Sequence, residues 1–305
     1  GAIIPFEKPK IENPSRLNRL KQKKRLMENS VNKIKYLSYT RYFFVFYDII
    51  ILVRWNMPQL DYLDTNRRFI DFTQNNIELI DFCLTIDSAY RNAFNPQATD
   101  SSAYLITNKW SFDKDTIKDI CKKIDKENST HLAVSGHKKG DKKGVDAIVK
   151  KIFSFDNFEK KLKNADADLV DEIAKAVPQI AKFSFASKFC AYVSRYKDKN
   201  PNAYSIYDKV ISEILPYYEW KFLHPKNIHA RKNRNKRVVS TIEDTFAKKG
   251  SFNYDGYNTL IGQIIKAINK EKKLNIDRFT FDRMLWYYYK GDKNLRQDAL
   301  NEIPI

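Results

Sequence analysis

Only 8 of the 305 residues are glycine, and this scarcity limits the folds that the chain can adopt. Turn-rich all-β folds need many tight turns, and the positive φ angles of such turns suit glycine best. Helices joined by polar loops need far fewer. Hydrophobic residues make up 43% of the chain, which is enough for a substantial core at this length. We therefore expect a mostly α-helical protein.

The charge of the chain indicates an anionic partner. Lys and Arg number 55 against 37 for Asp and Glu, so the formal net charge is +18. An excess of this size says little about fold, but it favours binding to polyanions, of which DNA and RNA are the commonest. An acidic membrane surface is the alternative partner. We expect nucleic acid.

Cysteine usage and apolar runs bear on the compartment. Cys83, Cys121 and Cys190 are odd in number and widely spaced, which fits a reducing cytosol better than a disulfide framework. The longest apolar run, Tyr42–Val53, is about half the roughly 20 residues that a membrane helix needs, and it contains Asp48. We interpret it as a buried core segment and expect no membrane contact. The expected location is cytoplasmic and nucleoid-associated.

The chain divides by composition into three parts. Residues 1–35 are basic and predict a peripheral N-terminal arm. Residues 36–165 predict an N-terminal helical lobe, in which residues 108–164 hold two short helices around the Lys/Gly-rich loop Ser135–Gly144. Residues 166–305 predict a second helical lobe. Apolar stripes at helical spacing mark three places in the lobes: Phe69, Phe72, Leu79, Phe82 and Ile86; then Leu260, Ile261, Ile264, Ile265 and Ile268; and last Phe279, Phe281, Leu285, Trp286 and Tyr289.

The stretch from Asp166 to Tyr196 predicts two helices joined as a tight hairpin. The first helix has an apolar face and ends at Pro178: Leu169, Val170, Ile173, Ala174 and Val177. The second begins near Phe185 among small residues, and a helix start of this kind exposes N–H groups that can bind phosphate. Asp208 precedes the next apolar period and is predicted to cap that helix.

The basic segment, His224–Arg237, follows this region. It has six Lys and Arg residues, no acid and no apolar period, so we predict a loop or arm in contact with nucleic acid. The six residues are Lys226, Arg231, Lys232, Arg234, Lys236 and Arg237.

Residues 166–220, and less closely 277–291, resemble the helix-hairpin-helix DNA glycosylases, in particular the 8-oxoguanine DNA glycosylase branch. That superfamily has a hairpin of the form Leu-Pro-Gly-Val-Gly-x-Lys, followed by an Asp at a helix start. Lys188 falls on the motif lysine, Ser184 and Ala186 on its two glycines, and Asp208 on the aspartate. The sequence pattern FSFASKF…YSIYDKV, together with LWYYYKG near the C-terminus, is also similar to sequences of a group of bacterial glycosylase-fold proteins.

The resemblance implies a fold, an activity and a site. The fold would be a bundle of two helical lobes with a cleft between them. The activity would be excision of a damaged or modified base from DNA, with possible abasic-site lyase activity. Lys188 would be the nucleophile and Asp208 the stabiliser of positive charge, with no metal and no cofactor. Further DNA contacts are expected at Lys182, Ser184, Ser187 and Lys209, and a pocket for the flipped base at Tyr192, Tyr204, Tyr207 and Trp286.

Two other functions stay open at this point. The absence of both hairpin glycines favours a catalytically inactive glycosylase-fold module that binds DNA. A metal-dependent nuclease would need carboxylates clustered near a lysine, and the sequence has no convincing set.

Overall fold

The computed structural model describes residues 59–94, 101–130, 132, 143–177, 182–247 and 252–305, and of residues 86–94 and 143 the backbone alone. Three predictions lie outside these residues: the N-terminal arm, the core segment Tyr42–Val53 and nearly all of the Ser135–Gly144 loop. Leu60–Ile305 forms one unit. The division into lobes at residue 165, which falls inside this unit, stays a prediction.

Twelve helices and one two-stranded sheet make up the regular structure of the described residues. In chain order the helices are α1 (Gln74–Phe94), α2 (Ser102–Asn108), α3 (Lys114–Asn128), α4 (Lys143–Ile152), α5 (Phe158–Lys163), α6 (Asp168–Ala174), α7 (Phe183–Tyr196), α8 (Lys209–Leu223), α9 (Ile242–Phe246), α10 (Tyr254–Lys272), α11 (Arg278–Tyr289) and α12 (Lys293–Asn301). Strands β1 (Ala230–Lys232) and β2 (Val238–Ser240) lie between α8 and α9. The prediction of a mostly helical fold is confirmed.

Helix α1 begins later than its apolar stripe predicts. Phe69 and Phe72 are buried, but they precede the helix in a segment that forms a β-bridge. Thr73 ends that segment, because its Oγ1 accepts a hydrogen bond from the N–H of Asn76 at 3.2 Å, as a helix cap does. The first two residues of the stripe therefore pack the core from outside the helix.

Two helices were predicted within residues 108–164, and the described part of this stretch holds three: α3 and α4, on either side of the Lys/Gly-rich region, and a further helix, α5. Asp113 starts α3 by accepting the N–H of Thr116 at 2.9 Å. Between α4 and α5 the chain turns around a stack of phenylalanine rings. Phe112 lies 4.7 Å from Phe153 and 5.3 Å from Phe158, measured between ring centroids.

Helix α7 is the central helix of this half of the unit. It packs most extensively against α6 and also against α2, α3 and α5. The predicted apolar face of the preceding helix is buried in full: Leu169, Val170, Ile173, Ala174 and Val177. Helix α7 starts at Phe183, close to the predicted Phe185, and buries most of its own length. The packing of two successive helices is confirmed, while Pro178 and the connection through residue 181 lie outside the described residues.

Helices α8, α10 and α11 pack together around buried aromatic rings. The predicted stripe of α10 is buried throughout, and that of α11 is buried at Phe281, Leu285 and Tyr289. The Phe281 ring stacks on Phe72, with centroids 5.5 Å apart. Tyr218 of α8 and Tyr289 share a hydrogen bond of 3.0 Å between their hydroxyls, which satisfies two buried polar groups.

Most of the basic segment is a loop, as predicted, but Ala230–Lys232 form one strand of a β-hairpin, which the sequence did not predict. Strand β1 pairs antiparallel with β2, and Ala230 stands opposite Ser240. The turn is closed by the Asn233 N–H, which donates to the Arg237 carbonyl at 2.8 Å, while Lys236 adopts a left-handed φ of 58°. Strands of three residues are too short to show an alternating pattern in the sequence.

Candidate active site

Lys188 lies in the middle of α7 among apolar side chains. Phe185 and Phe189 beside it are fully buried, and Lys188 keeps 5% of its surface exposed. A buried ammonium group is costly unless an acid or hydrogen bonds compensate for the lost water. Its Nζ donates to Oδ2 of Asp208 at 3.0 Å and to Oγ of Ser184, one helical turn earlier, at 2.8 Å. The lysine and the aspartate singled out in the sequence therefore form a buried ion pair.

Asp208 reaches Lys188 from the start of α8. Its backbone is extended, and its Oδ1 accepts the N–H of Val210 at 2.9 Å, so the predicted N-cap is confirmed. One carboxylate oxygen caps the helix while the other binds Lys188. The Asp208 side chain is 18% exposed and that of Lys188 is 6% exposed, so solvent reaches the pair mainly from the carboxylate side.

The segment between α7 and α8 is held by hydrogen bonds from three other parts of the fold. Tyr254 of α10 donates its hydroxyl to the Ser205 carbonyl at 2.7 Å. Ser187 of α7 accepts the N–H of Tyr207 at 2.9 Å through its Oγ. Arg278 of α11 donates through Nη1 to the Ser205 hydroxyl at 2.6 Å. Asp208 therefore follows a segment whose position is fixed, which is what a reacting group requires.

Asp282 of α11 is a third charged group of this cluster, and the sequence did not predict it. Its Oδ1 is buried and has no hydrogen-bond partner among the described residues. Burial, and after it the charge of Asp208, raise the pKa of Asp282 to about 7. The charges of Lys188 and Arg283 oppose this rise. An acid whose pKa is shifted by burial and by charged neighbours is a candidate member of a functional site.

A signal for Asp282 was present in the α11 stripe. Asp282 lies three residues after Phe279 and four before Trp286, so helical periodicity puts it on their side of the helix. Both aromatic residues are part-buried. A charged residue on such a face is a candidate for function, but the sequence alone does not indicate that α11 packs near Lys188.

Tyr204 does not fit the predicted base pocket. It is 3% exposed, and its hydroxyl donates to the Leu162 carbonyl at 3.2 Å. A ring enclosed by the core cannot stack on a flipped base, so we remove Tyr204 from the pocket.

The other three aromatic candidates are part-buried: Tyr192, Tyr207 and Trp286. Burial, and then the charge of Asp282, raise the pKa of Tyr192, which indicates that this ring lies near the charged cluster. Trp286 is one turn beyond Asp282, and the Lys290 ammonium stands 3.7 Å from its ring centroid. Burial raises the pKa of Tyr207 to about 12. Tyr192 and Trp286 are therefore the candidates best tied to the charged cluster.

The start of α7 is not an open phosphate site. Ser187 is fully buried, and Lys182 is 8% exposed with a pKa that burial lowers. The Ser184 hydroxyl is engaged by Lys188. Ser187 is therefore removed from the predicted DNA contacts, because its hydroxyl holds the Tyr207 backbone. Lys209 differs, with a side chain that is 80% exposed.

All six Lys and Arg residues of the basic segment are exposed. Of these six, within the described part of the chain, Arg231 alone has an ion pair, at 3.3 Å from Asp244. The base of the hairpin is tied to α8 close to its start, since Ser240 Oγ donates to the Ser212 carbonyl at 2.6 Å. The Ser212 N–H in turn donates to the Asp208 carbonyl at 2.8 Å. The hairpin is thus anchored at the end of α8 that carries the acid.

Two features do not occur in the described residues. No group of three or more His, Cys, Asp or Glu side chains there is arranged to hold a metal ion. None of the helices in the described ranges has the length and apolar character needed to cross a bilayer. Cys190 is fully buried and packs as a small core residue, as free cysteines commonly do.

Comparison with known proteins gives a match to a family model. A family model described as an N-terminal domain matches residues 85–198. The matched range includes Lys188, ends before Asp208 and covers well under half of the chain. Its description names no activity. No curated protein and no solved structure matches the chain significantly.

Proposed function

We propose that the protein is a DNA glycosylase with associated abasic-site lyase activity. The supporting observation is the buried pair of Lys188 Nζ and Asp208 Oδ2, 3.0 Å apart, formed by residues 20 positions apart. Lysine is almost never buried without a partner, and this one is directed at the capping acid of a neighbouring helix. The proposed architecture is a helix-hairpin-helix glycosylase-like bundle, with the reaction in a cleft between two helical lobes.

The proposed chemistry divides the work between the two residues. The neutral amine of Lys188 attacks C1′ of the target nucleotide, and the bond from C1′ to the base breaks, so that the base leaves with the proton lost by the amine. The bond from C1′ to the ring oxygen of the sugar then breaks, which opens the ring and gives a Schiff base. Asp208 stabilises the positive charge that develops on the sugar. Elimination from the Schiff base then cleaves the strand. Ser184 accepts a hydrogen bond from the amine and so helps to fix its position.

DNA binding is assigned to the exposed charges and the half-buried rings. Lys209 and the basic segment would contact phosphates, and the base of the hairpin is anchored to α8 near its start. The target base would leave the stack and enter a pocket near Tyr192 and Trp286. Phosphate contacts release counterions, so we expect affinity to fall steeply with salt.

The second candidate function is a DNA-binding module without catalysis. Ser184 and Ala186 replace the two hairpin glycines of the resembling family, and Lys188 is held in an ion pair with Asp208. Salt titration of binding does not separate the two functions, because both predict phosphate contacts. A covalent trapping assay does.

The decisive experiment is borohydride trapping on duplexes that contain an abasic site or a modified base. The wild-type chain should form a covalent adduct, and Lys188→Gln should form none while it still binds DNA. Lys197→Gln is the matched control, since Lys197 follows the same helix and pairs with Glu159 at 3.0 Å and Asp198 at 3.1 Å. An arm with EDTA tests for a metal-dependent nuclease.

Three outcomes distinguish the functions. Adducts with wild type and Lys197→Gln but not Lys188→Gln support the glycosylase-lyase. Full-rate cleavage of abasic DNA by Lys188→Gln contradicts the assignment of the nucleophile. Binding without adduct or cleavage on every duplex tested favours the inactive module.

A further inference from the structure

A cavity of about 340 Å³ opens between α10, the start of α11 and the segment that joins α7 to α8. The proposed function does not use it. Two of its lining residues are cations, Lys266 and Arg278, and three are asparagines, while none of the described residues that line it is an acid. Ligand sites commonly have volumes of about 300 to 1,000 Å³, so this cavity suits a small ligand or one group of a larger molecule.

The positive charge of Arg278 is not compensated within the described residues. Its guanidinium is part-buried and donates to three neutral oxygens: the Asn202 carbonyl at 2.9 Å, the Ser205 hydroxyl at 2.6 Å and the Asn258 carbonyl at 2.7 Å. Burial lowers the pKa of Arg278, but an arginine keeps its proton in proteins, so the charge remains. A cation that is partly removed from water and lacks a counter-ion favours the binding of an anion.

The acid next to Arg278 in the chain is engaged elsewhere. Asp277 caps α11, because its Oδ1 accepts the N–H of Thr280 at 2.6 Å. Its Oδ2 lies 3.6 Å from Nη1 of Arg195, on α7. Asp277 therefore does not supply the missing counter-ion of Arg278.

Gly262 lets the guanidinium of Arg278 lie against α10. A Cβ atom at this position would stand 2.7 Å from Nη2, which is too close for either atom to stay in place. Glycine inside a helix is less stable than alanine, and the approach of Arg278 explains its presence here. The three bonds of the guanidinium use Nε and Nη1, so Nη2 is the nitrogen that remains for a ligand.

Further donors surround Nη2 on a fixed frame. Lys266, one turn further along α10, is exposed and has no ion pair in the described part of the chain. Asn202 accepts the Arg278 N–H through Oδ1 at 3.3 Å, which leaves its amide nitrogen for a ligand. Asn269 bonds both backbone groups of Ile276, at 2.8 and 3.0 Å, and so fixes the turn that leads into α11.

We propose that this cavity binds a phosphate group. Two cations and an amide donor match an anion with more than one negative charge and several acceptor oxygens, which a carboxylate does not offer. The group can belong to a free phosphate ion or to the backbone of DNA, and the experiment below separates these two sources. Phosphate binding here does not depend on the reaction proposed for Lys188.

A purely structural role for Arg278 makes a different prediction. The guanidinium would then only tie α11 to α10 and to the joining segment, and water would solvate Nη2. Lys266 makes no hydrogen bond or ion pair with a described residue, so the fold does not require its charge. Under this alternative, Lys266→Gln would have no specific effect on the binding of any anion.

The experiment titrates inorganic phosphate into the full chain by calorimetry, with chloride used to keep the ionic strength constant. The wild type should show saturable binding, and Lys266→Gln should bind phosphate about three- to tenfold more weakly. Lys126→Gln is the matched control, because Lys126 is an exposed lysine of α3 outside the cavity, and it should bind as the wild type does.

Gly262→Ala is a second variant that removes no charge. Its methyl group should push Nη2 aside and weaken phosphate binding, while alanine is a better helix former than glycine. Urea unfolding of each variant checks that the fold is kept. A loss of binding in both Lys266→Gln and Gly262→Ala, but not in Lys126→Gln, supports the site.

Fluorescence anisotropy with a short DNA duplex, at the same ionic strength, identifies the source of the phosphate group. If the group belongs to DNA, Lys266→Gln should weaken duplex binding more than Lys126→Gln does, and phosphate should compete with the duplex less well in Lys266→Gln than in the wild type. If the ligand is the free ion, the two lysine variants should bind the duplex equally, and only phosphate binding should differ between them.

The proposal is overturned if Lys266→Gln and Gly262→Ala bind both phosphate and the duplex as Lys126→Gln does. That result would leave Arg278 with its structural role, and it would leave the proposed chemistry of Lys188 untouched. Failure of borohydride trapping, in turn, would contradict that chemistry without affecting the phosphate site.

Discussion

Lys188 and the basic segment carry the same kind of charge in opposite surroundings. Lys188 is 5% exposed and is held by Asp208 and Ser184. The six basic residues of the segment are exposed, and among the described residues Arg231 alone of the six has an acid partner. Burial fixes the position of a charge and makes its protonation depend on its neighbours, whereas exposure leaves the charge constant and mobile.

This difference assigns separate tasks to the two regions. A cation at a fixed position with nearby acids can do chemistry at one atom, and its loss should affect rate. Exposed cations attract a polyanion without fixed geometry, and their loss should affect affinity and salt dependence. A substitution at the buried site should therefore change the reaction rate and leave DNA affinity nearly unchanged. A substitution in the basic segment should change DNA affinity and leave the rate nearly unchanged.

The largest effect is expected for Asp208→Asn. The asparagine keeps a side-chain oxygen for the Val210 N–H but loses the charge that faces Lys188. We expect the single-turnover rate of abasic-site cleavage to fall by about 10² to 10³. DNA affinity, measured by fluorescence anisotropy, should change by less than about threefold. A loss of affinity with an unchanged rate would mean that Asp208 is part of the binding surface.

The second effect is on folding stability and comes from Asp282. Its pKa rises from 3.8 unfolded to about 7 folded, so the folded state holds the proton more tightly. Stability is therefore lost as pH rises from about 4 to about 7. At about 1.4 kcal/mol for each pKa unit, the loss is up to about 4 kcal/mol.

Asp282→Asn removes this contribution. Urea unfolding at pH 5 and pH 8 should show a smaller loss of stability with pH in the variant than in the wild type. An equal loss in both proteins would mean that the carboxyl ionises as freely in the folded chain as in the unfolded one.

The sequence predicted the pair but not the third acid, and the reason is physical. Lys188 and Asp208 belong to adjacent helices, so one motif and one cap signal identify both. Asp282 comes from α11, and its position depends on how α11 packs against α8, which periodicity does not indicate. The buried apolar stripe of α10 was predicted because helical spacing is a local property of the sequence. The pair of Lys188 and Asp208 was predicted for the same reason.

Tyr204 and Ser187 were mispredicted for the same physical reason. Tyr204 and Ser187 have side chains that suit a pocket or a phosphate contact, and both are buried because they hold neighbouring backbone. Residue type alone does not distinguish a polar group that binds a ligand from one that satisfies the fold. The β-hairpin was not predicted because its strands have three residues each. They are too short to show the alternation of apolar and polar residues that marks a strand.

The third effect is on affinity and comes from the hairpin turn. Four basic residues at and beside the turn are to be replaced together by Gln: Lys232, Arg234, Lys236 and Arg237. We expect DNA affinity to fall by about 10- to 100-fold at about 0.1 M salt and the slope of log K against log salt to decrease by up to about 3 to 4. The cleavage rate at saturating protein should stay within about twofold of wild type.

The control for this variant removes four exposed lysines elsewhere: Lys114, Lys122, Lys160 and Lys163. It makes the same change in net charge. An equal loss of affinity in both variants would show that DNA responds to total charge and that the hairpin has no special place in binding.

The smallest effect is expected for Asp244→Asn, which tests the one acid paired with the segment. Asp244 lies 3.3 Å from Arg231, and both side chains are more than half exposed. Such a pair contributes less than about 1 kcal/mol to stability, so the fold should be unaffected. Removing the carboxylate frees Arg231 and lowers the negative potential beside the hairpin. DNA affinity should rise by about two- to threefold at low salt, and the gain should vanish at high salt, where exposed charges are screened. If affinity fell instead, Asp244 would be holding Arg231 in the orientation that binds phosphate, and the contrast between fixed and mobile charge would extend into the basic segment itself.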